Sequence, residues 1–464
     1  GSDAPTPMIA QYLEIKRAHP DDLLFYRMGD FYEMFFEDAE QAAAALDITL
    51  TKRGKHEGAD IPMCGVPVHA SESYLSRLIR KGIRVAVCEQ TENPSEAKKR
   101  GAKSVVRREV VRVVTPGTIT EEALLDARRH NYLAAVAEAG GALGLAWLDV
   151  STGAFFAQPL DHAELAAALA RIEPGEFLVP QRLSGQPEFY DICADFRDTL
   201  AVQSDSSFDS TAGRRRLEEI FAVKALDAFG DYGRAELAAC GGIVAYVELT
   251  QKGKLPRLQP PRRMSGGEAL EIDAATRRNL ELVRTMNGAR DGSLLSVIDR
   301  TVTGAGGRLL AARLAAPLTD AAAIRARHDA VSWFAESSRA REDVRDRLRA
   351  APDMARAMIR LTIGRGGPRD LGAVRDGLSV AVDLRALLEA APDLVADTAT
   401  AAADIGEHQV LIDRLARALA DELPLMSRDG GFIRDGYAPE FDTLRQLRDQ
   451  SRKLIAALQA RYVE

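Results

Sequence analysis

Leu23-Leu24-Phe25-Tyr26-Arg27-Met28-Gly29-Asp30-Phe31-Tyr32-Glu33-Met34-Phe35 is the stretch on which the fold turns. It begins as an apolar run of strand length, which Gly29 interrupts. Asp30 is a good helix N-cap, and Glu33 stands three residues beyond it, the spacing of a capping box. The pattern predicts a helix that opens at Phe31 and runs through Glu40 and Ala42 to Ala45. An aromatic ring and a carboxylate then share a first turn with unsatisfied backbone N–H groups. Two uses of that pair compete. In one, Glu33 closes the capping box and Phe31 packs as a core or staple residue. In the other, Phe31 stands out as a wedge and Glu33 bonds whatever the wedge touches. Spacing alone favours the first, because most phenylalanines are packed inside.

Working outward, residues 3–115 read as a mixed α/β domain. Residues 8–17 have helical apolar spacing. Residues 46–51 alternate as a short strand, residues 52–60 form a polar, glycine-containing loop, and Ser71 is placed to cap a helix over 72–81. Residues 83–88 and 105–114 are rich in β-formers and read as strands. The loop between them carries Lys98, Lys99, Arg100 and Lys103. With Arg107, Arg108 and Arg112 this makes seven basic residues against one acidic one across 98–112. Such a run is either a solvated loop with a charged edge strand or a stripe that contacts phosphates.

Thr115-Pro116-Gly117-Thr118 has turn chemistry, and residues 116–130 link to a second α/β domain over 131–250. Strands at 132–137, 143–150 and 154–158, joined by tight turns that include Ser151-Thr152-Gly153, precede a helix at 163–171, a short strand at 177–179 and further helices. Strands first and helices after suggest an RNase H-like layout. Asp149 ends one strand, where a nuclease of that layout holds a metal. That chemistry needs several carboxylates converging on two metals, and none stands in a matching position. Asp149 therefore reads as a turn residue.

Residues 251–268, rich in Pro, Lys and Arg, read as a second linker. From 269 to 438 the composition turns to Ala, Leu and Arg with helical periodicity, broken at Thr303-Gly304-Ala305-Gly306-Gly307, Pro317, Pro352, Gly364-Arg365-Gly366-Gly367-Pro368 and Pro392. This is an all-helical domain. Its first glycine cluster lacks the G-x-x-x-x-G-K-[ST] pattern of a phosphate loop and follows no strand, so it reads as a turn between helices. Asp429-Gly430-Gly431-Phe432-Ile433-Arg434-Asp435-Gly436-Tyr437 is a compact turn. A last helix over 439–464 keeps Leu444, Leu447, Leu454, Ile455 and Leu458 on one face. Its pattern still runs at Glu464 without a stop signal, which suggests a truncated chain.

A chain of 464 residues calls for about two to four domains, and 46% apolar content supplies a core for each. A formal charge of −7 excludes a protein that is basic all over. A nucleic-acid binder of this balance gathers its Lys and Arg locally. Cys64, Cys88, Cys193 and Cys240 show no C-x-x-C spacing and no neighbouring His, which argues for free thiols in a reducing cytosol rather than a zinc site. No run approaches the ~18 apolar residues of a membrane span.

Gly29-Asp30-Phe31-Tyr32-Glu33, with Phe-x-Glu at its centre, resembles the mismatch-reading motif of the bacterial MutS family. The resemblance continues through Leu50-Thr51-Lys52-Arg53-Gly54, Ile61-Pro62-Met63-Cys64-Gly65-Val66-Pro67, His69-Ala70, Val113-Val114-Thr115-Pro116-Gly117-Thr118 and Asp273-Ala274-Ala275-Thr276-Arg277-Arg278-Asn279-Leu280-Glu281, and it includes the turn at 429–437. These segments keep the family's order and cover most of the chain. They imply a multidomain α/β plus all-α protein: a mismatch-binding α/β domain, an RNase H-like connector domain and a helical core/lever domain that leads into a long lever helix.

The resemblance also implies roles. Phe31 enters the minor groove at a mispaired or unpaired base, stacks on one base and kinks the duplex, while Glu33 hydrogen-bonds that base. Unstacking a base step costs on the order of a few kcal/mol. A mismatch has already lost part of that, so the wedge reads deformability more than base identity. Partly desolvated beside phosphates, Glu33 is expected to take up a proton and donate to a base nitrogen. Arg53 and Met63 line the DNA side in this reading, and Lys98, Lys99, Arg100, Lys103, Arg107 and Arg108 are candidate backbone contacts.

Family members are ATPases that use ATP and Mg and dimerise through a carboxy-terminal nucleotide-binding domain. No Walker A loop is present here, so no cofactor and no ATP hydrolysis are expected of this chain. The implied partners are mismatched double-stranded DNA and a MutL-type protein on the connector. The full-length protein is expected to be a homodimer, with this chain alone monomeric and weak in DNA affinity without a clamp and a second arm. The implied setting is the bacterial cytoplasm and nucleoid, with no membrane partner. Two other classes compete: a metal-dependent nuclease acting through the second domain, and a structural helical scaffold with Phe31 packed inward.

Overall fold

Strand pairing, not capping, settles the opening stretch. In the computed structural model, which describes residues 5–101 and 104–463, Leu23–Met28 (β1) and Phe31–Phe35 (β2) form an antiparallel hairpin. Met28 faces Phe31, which leaves Gly29 and Asp30 as the turn. Gly29 has φ +59, and a glycine at the first central position suits a II′-type hairpin. Asp serves turns as well as N-caps, so the residues that predict a helix start close a hairpin instead. β2 is paired on both sides, to β1 and to Ala59–Pro67 (β4), and two ladders outweigh one capping box. The helix opens later, as Phe36–Leu46 (α2). Phe36 at the junction holds φ +56, a strained value for a bulky side chain.

Thr51–His56 (β3), β4, β2, β1, Val85–Gln90 (β5) and Arg108–Val114 (β6) make a six-stranded mixed sheet in that order, with β1 and β5 its parallel pair. Residues 52–60, expected as a loop, belong to the β3–β4 hairpin, turning at Glu57-Gly58. Pro7–Ala18 (α1) covers part of one face, packing Ile9 and Tyr12 on Tyr26 and Phe35. α2 and Ser71–Arg80 (α3) cover the other, over Phe25, Tyr32 and Met34. The basic segment before β6 includes a short helix, Pro94–Lys99 (α4).

The second mixed sheet runs Leu200–Gln203 (β11), Glu176–Pro180 (β10), Tyr132–Ala139 (β7), Ala142–Asp149 (β8), Ala154–Leu160 (β9) and Arg262–Arg263 (β12). β7, β8 and β9 are antiparallel; β10 is parallel to β7 and β11. The stretch expected as a linker at 251–268 thus contributes a strand, parallel to β9. Helix Arg234–Thr250 lies on one face and His162–Ile172 (α5) on the other, the latter over Trp147 and Phe177. A Cβ on Gly144 would stand 2.4 Å from the Ala235 carbonyl carbon, so this close approach of helix to β8 requires glycine.

The glycine cluster at 304–307 is the first turn of helix Gly304–Ala315, capped by Thr303 Oγ1, which accepts from the Gly306 N–H at 2.9 Å. It begins a helix rather than joining two. A Cβ on Gly304 would lie 2.6 Å from the Ala127 carbonyl oxygen, so the helix start abuts residue 127.

The chain forms two compact units, Gly1–Ile324 and Arg325–Glu464, and both sheets lie in the first. The second unit, taken by itself, is helical. Met354–Thr362, Pro368–Glu389 and Gln409–Ala418 gather around Val374, Leu378 and Ile412, and Arg360 pairs with Asp370 at 2.6 Å. On its last helix, Pro439–Val463, Leu444, Leu447, Leu454 and Ile455 are exposed; the Leu458 side chain lies outside the described residues.

Candidate nucleic-acid interface

Alternation along β2 sorts its side chains onto two faces. Tyr32 and Met34 point into the core, while Phe31 and Glu33 share the opposite face beyond the cover of α1. Phe31 is 46% exposed. A ring packed inward, as the scaffold reading needs, is not what the fold provides. The hairpin under it is stiff. Tyr32 stacks on Phe25 with ring centroids 5.5 Å apart, and its hydroxyl donates to the Glu89 carboxylate. Burial, then Glu89, pushes the Tyr32 hydroxyl pKa up. Val68 N–H donates to the Asp30 carbonyl at 2.9 Å and ties the turn to the end of β4.

Gly65 faces Glu33 across the ladder. A Cβ there would make ordinary contacts, 3.7 Å from Glu33 Cγ and 3.8 Å from Phe31 Cδ1, so this position lies beside both side chains. The helix expected at Phe31 concealed this pairing in the sequence. Arg53 reaches over β4 and donates to Glu33 Oε2 at 2.6 Å. The reading from sequence named Arg53 but not its partner. Met63 faces Phe35 and is half-buried against the α1-side core.

The basic run divides. Arg108 is buried and does not offer its charge to a ligand, contrary to the expectation of a backbone contact. Its guanidinium lies 4.8 Å over the Tyr26 ring and donates to the carbonyls of Arg27 at 2.6 Å and Val106 at 3.0 Å. Strand alternation turns it inward beside α1, where it pins the end of β1 that feeds the Phe31 hairpin. Arg112 is also engaged, in an ion pair with Glu121. Lys99, Arg100 and Arg107 are exposed. Glu92 organises two of them, pairing with Arg100 and accepting from the Arg107 backbone N–H at 2.6 Å. The Lys98 side chain and Lys103 lie outside the described residues. β6 stands three strands from β2, roughly 14 Å at ordinary strand spacing, so the stripe and the wedge are separate features of one sheet.

Asp149 is fully buried at the end of β8. One carboxylate oxygen accepts from Ser151 N–H at 3.0 Å and Ser151 Oγ at 2.6 Å, and the other lies 2.6 Å from His130 Nδ1. The bonds to Ser151 close the turn, as expected, and the contact with His130 ties the strand end to the segment before β7. Among the described residues no group of three or more His, Cys, Asp or Glu side chains is able to hold a metal ion, and the nuclease reading finds no support. The four cysteines are free. Among the described residues no helix is long and apolar enough to cross a membrane.

Comparison with known proteins decides the family. The MutS domain I model matches residues 6–123, domain II residues 131–259 and domain III residues 275–462. The chain belongs to the MutS family. It is 53% identical over 459 residues to the DNA mismatch repair protein MutS of Roseobacter denitrificans, covering 98% of this chain and 52% of the relative. Against the protein of the same name from Paracoccus denitrificans the identity is 55% over 462 residues, 100% of this chain and 52% of the relative. Against that of Nitrobacter hamburgensis it is 54% over 465 residues, 99% and 51%. The chain thus spans about half the length of the curated relatives it matches. The MutS domain I match contains Phe31, Glu33, Gly65, Arg53 and the exposed basic stripe; the MutS domain II match contains Asp149.

Proposed function

We propose that this chain recognises mismatched duplex DNA, with Phe31 as a wedge at a mispaired or unpaired base and Glu33 as the hydrogen-bonding partner of that base. The exposure of Phe31 on a pinned hairpin carries the reading. The backbone that carries the ring is paired on both sides, so the ring is presented at the surface without any rearrangement of the sheet. A kinked step with weakened stacking yields to it at lower cost than a matched one. In the free protein Glu33 is held by Arg53, so bonding a base exchanges one partner for another. Arg53, Lys99, Arg100 and Arg107 then serve as contacts to the phosphate backbone, and Met63 supports the sheet beneath.

The test is binding at low salt to a matched duplex and to the same duplex with one G·T mispair. The chain is expected to prefer the mispair, and Phe31→Ala to lose that preference while keeping residual binding. Equal binding of both duplexes by the wild-type chain would overturn the reading. Glu33→Gln, which copies a protonated carboxyl, is expected to retain the preference; a large loss would mean that Glu33 acts ionised.

We further assign an RNase H-like architecture to the second domain. It is supported by the order β9-β8-β7-β10-β11, antiparallel through β7 and parallel beyond. That domain is the proposed docking surface for a MutL-type partner, and the helix Pro439–Val463 the proposed lever. ATP- and Mg-dependent steps and homodimer formation are assigned to the half of the relatives' length that this chain does not span, and the setting to the bacterial cytoplasm and nucleoid.

A further inference from the structure

Two adjoining clefts lie between the second sheet with α5 and the segment that follows it. One, about 440 Å³, is lined by Arg129, Arg277, Arg278 and Arg284 with Asp195 and Asp198 on its far wall; the other, about 250 Å³, by Arg128, Arg171 and Arg308 with Ile172 and Ala312. They share Arg129, Glu173, Val283 and Arg284. Helix Ala274–Asn279 packs on α5 and carries Arg277 to the wall.

Carboxylates here are shared among guanidinium groups. Glu173 Oε2 accepts from Arg129 at 2.7 Å and from Arg284 at 3.2 Å. Asp299 Oδ2 serves both Arg128 at 2.9 Å and Arg290 at 3.1 Å. Arg171 bonds the neutral Gln158 at 2.6 Å and lies 5.6 Å over Trp147. Arg277 is 7% exposed; one nitrogen donates to the Ala315 carbonyl at 2.8 Å, and its Nε is a buried donor without an acceptor among the described residues. Burial lowers the pKa of both guanidiniums, and the Arg277 charge lowers Arg171 further. A junction built for stability alone gives each buried cation a partner, because an uncompensated charge in a low-dielectric site is costly. Here Glu173 offsets part of the Arg277 charge and Glu271 part of that on Arg171, yet the buried Arg277 Nε keeps no acceptor among the described residues, in the wall of an open cleft of small-molecule size.

We propose that this double cleft binds a small multivalent oxyanion of the phosphate class through Arg171 and Arg277, with Arg129 and Arg284 at the shared rim. Guanidinium forks match phosphate oxygens bidentately. The cleft volumes suit a pyrophosphate-sized group and exclude a duplex. By bridging α5 to the helix Ala274–Asn279, the anion would brace the two elements.

The probe is inorganic pyrophosphate, titrated into this chain by calorimetry and by thermal unfolding against chloride of equal ionic strength. Saturable binding and a rise in melting temperature beyond that in chloride are expected. Arg277→Gln and Arg171→Gln are each expected to weaken binding by about tenfold or more, and Arg17→Gln on α1 to leave it unchanged. If Arg277→Gln does not fold, the half-buried Arg171→Gln carries the comparison. No saturable effect beyond that of chloride, or wild-type binding in Arg171→Gln, overturns the site. Displacement of pyrophosphate by matched duplex DNA would reassign it to backbone phosphate and also overturn the small-anion proposal.

Discussion

Arg53 Nη1 donates to Glu33 Oε2 at 2.6 Å across the intervening strand β4. The pair is partly open, with side-chain exposures of 45% and 16%. Exposed pairs of this kind contribute roughly 0–1 kcal/mol, small beside the energy of bending and unstacking DNA. The bond therefore sets the Glu33 rotamer without locking it. Arg53→Ala is expected to change folding stability by less than about 1 kcal/mol. It should weaken binding of matched and mispaired duplexes alike and flatten the dependence on salt, as loss of a phosphate contact does. An unchanged salt slope would confine Arg53 to its role beside Glu33.

Phe31 and Phe35 occupy the two ends of one strand and face different surroundings. Phe35 is fully buried among Tyr12, Tyr26 and Ile61, and Phe31 is half in solvent. Phe35→Ala is expected to cost about 3–5 kcal/mol of folding stability. Phe31→Ala should cost no more than about 1 kcal/mol, in keeping with surface substitutions. Urea unfolding of the two variants makes the comparison. A large loss from Phe31→Ala would return that ring to the core and remove it as a wedge.

Arg107 and Arg108 are neighbours in sequence with opposite assignments. Arg108→Ala removes the bonds to the Arg27 and Val106 carbonyls and the stacking on Tyr26, at an expected cost of about 2–4 kcal/mol. Arg107→Ala should leave the melting temperature nearly unchanged and lower affinity for any duplex. Thermal unfolding and a salt titration of binding separate the two. Equal stability losses would mean that the exposed stripe is structural as well.

What could be read from the sequence depended on how local the determinant was. β7, β8 and β9 are apolar runs of strand length joined by short turns, and their signal is contained in each stretch. Phe-x-Glu singles out Phe31 and Glu33 as candidates, but the sequence places them in a helix and the fold places them on a strand. Gly29 and Asp30 suit both a helix start and a hairpin turn, and only the distant partner Ala59–Pro67 decides between them. β12 is two residues long and exists through pairing with β9. Arg108 could not be distinguished from Arg107 by composition, because its burial depends on α1 and on Tyr26. The arginine clefts escaped for the same reason, their members being spread from residue 128 to residue 308.

Glu176 makes the sharpest pH prediction. It is buried on β10, and its carboxylate accepts from Thr115 Oγ1 at 2.5 Å, Gly117 N–H at 2.9 Å and Tyr246 OH at 2.5 Å. A Cβ on Gly117 would stand 2.7 Å from Glu176 Cβ, so the turn closes on the carboxylate only because that residue is glycine. Burial raises the Glu176 pKa above the ordinary carboxylate range, against these three bonds and the Arg84 charge. Between the ordinary value and the raised one, the folded state holds a proton that the unfolded state has released. The group's contribution is therefore full below the ordinary carboxylate range and is lost as pH rises through the folded value, at up to about 1.4 kcal/mol per pH unit. Glu176→Gln copies the protonated form and escapes that loss, so its stability relative to wild type should climb with pH across the window. Glu176→Ala strands three donors and should be less stable at every pH, by about 1–3 kcal/mol or more. Urea unfolding of wild type and both variants at stepped pH reads the difference. Parallel curves for wild type and Glu176→Gln would mean that the carboxylate is ionised in the folded protein throughout, with the three hydrogen bonds and Arg84 outweighing burial.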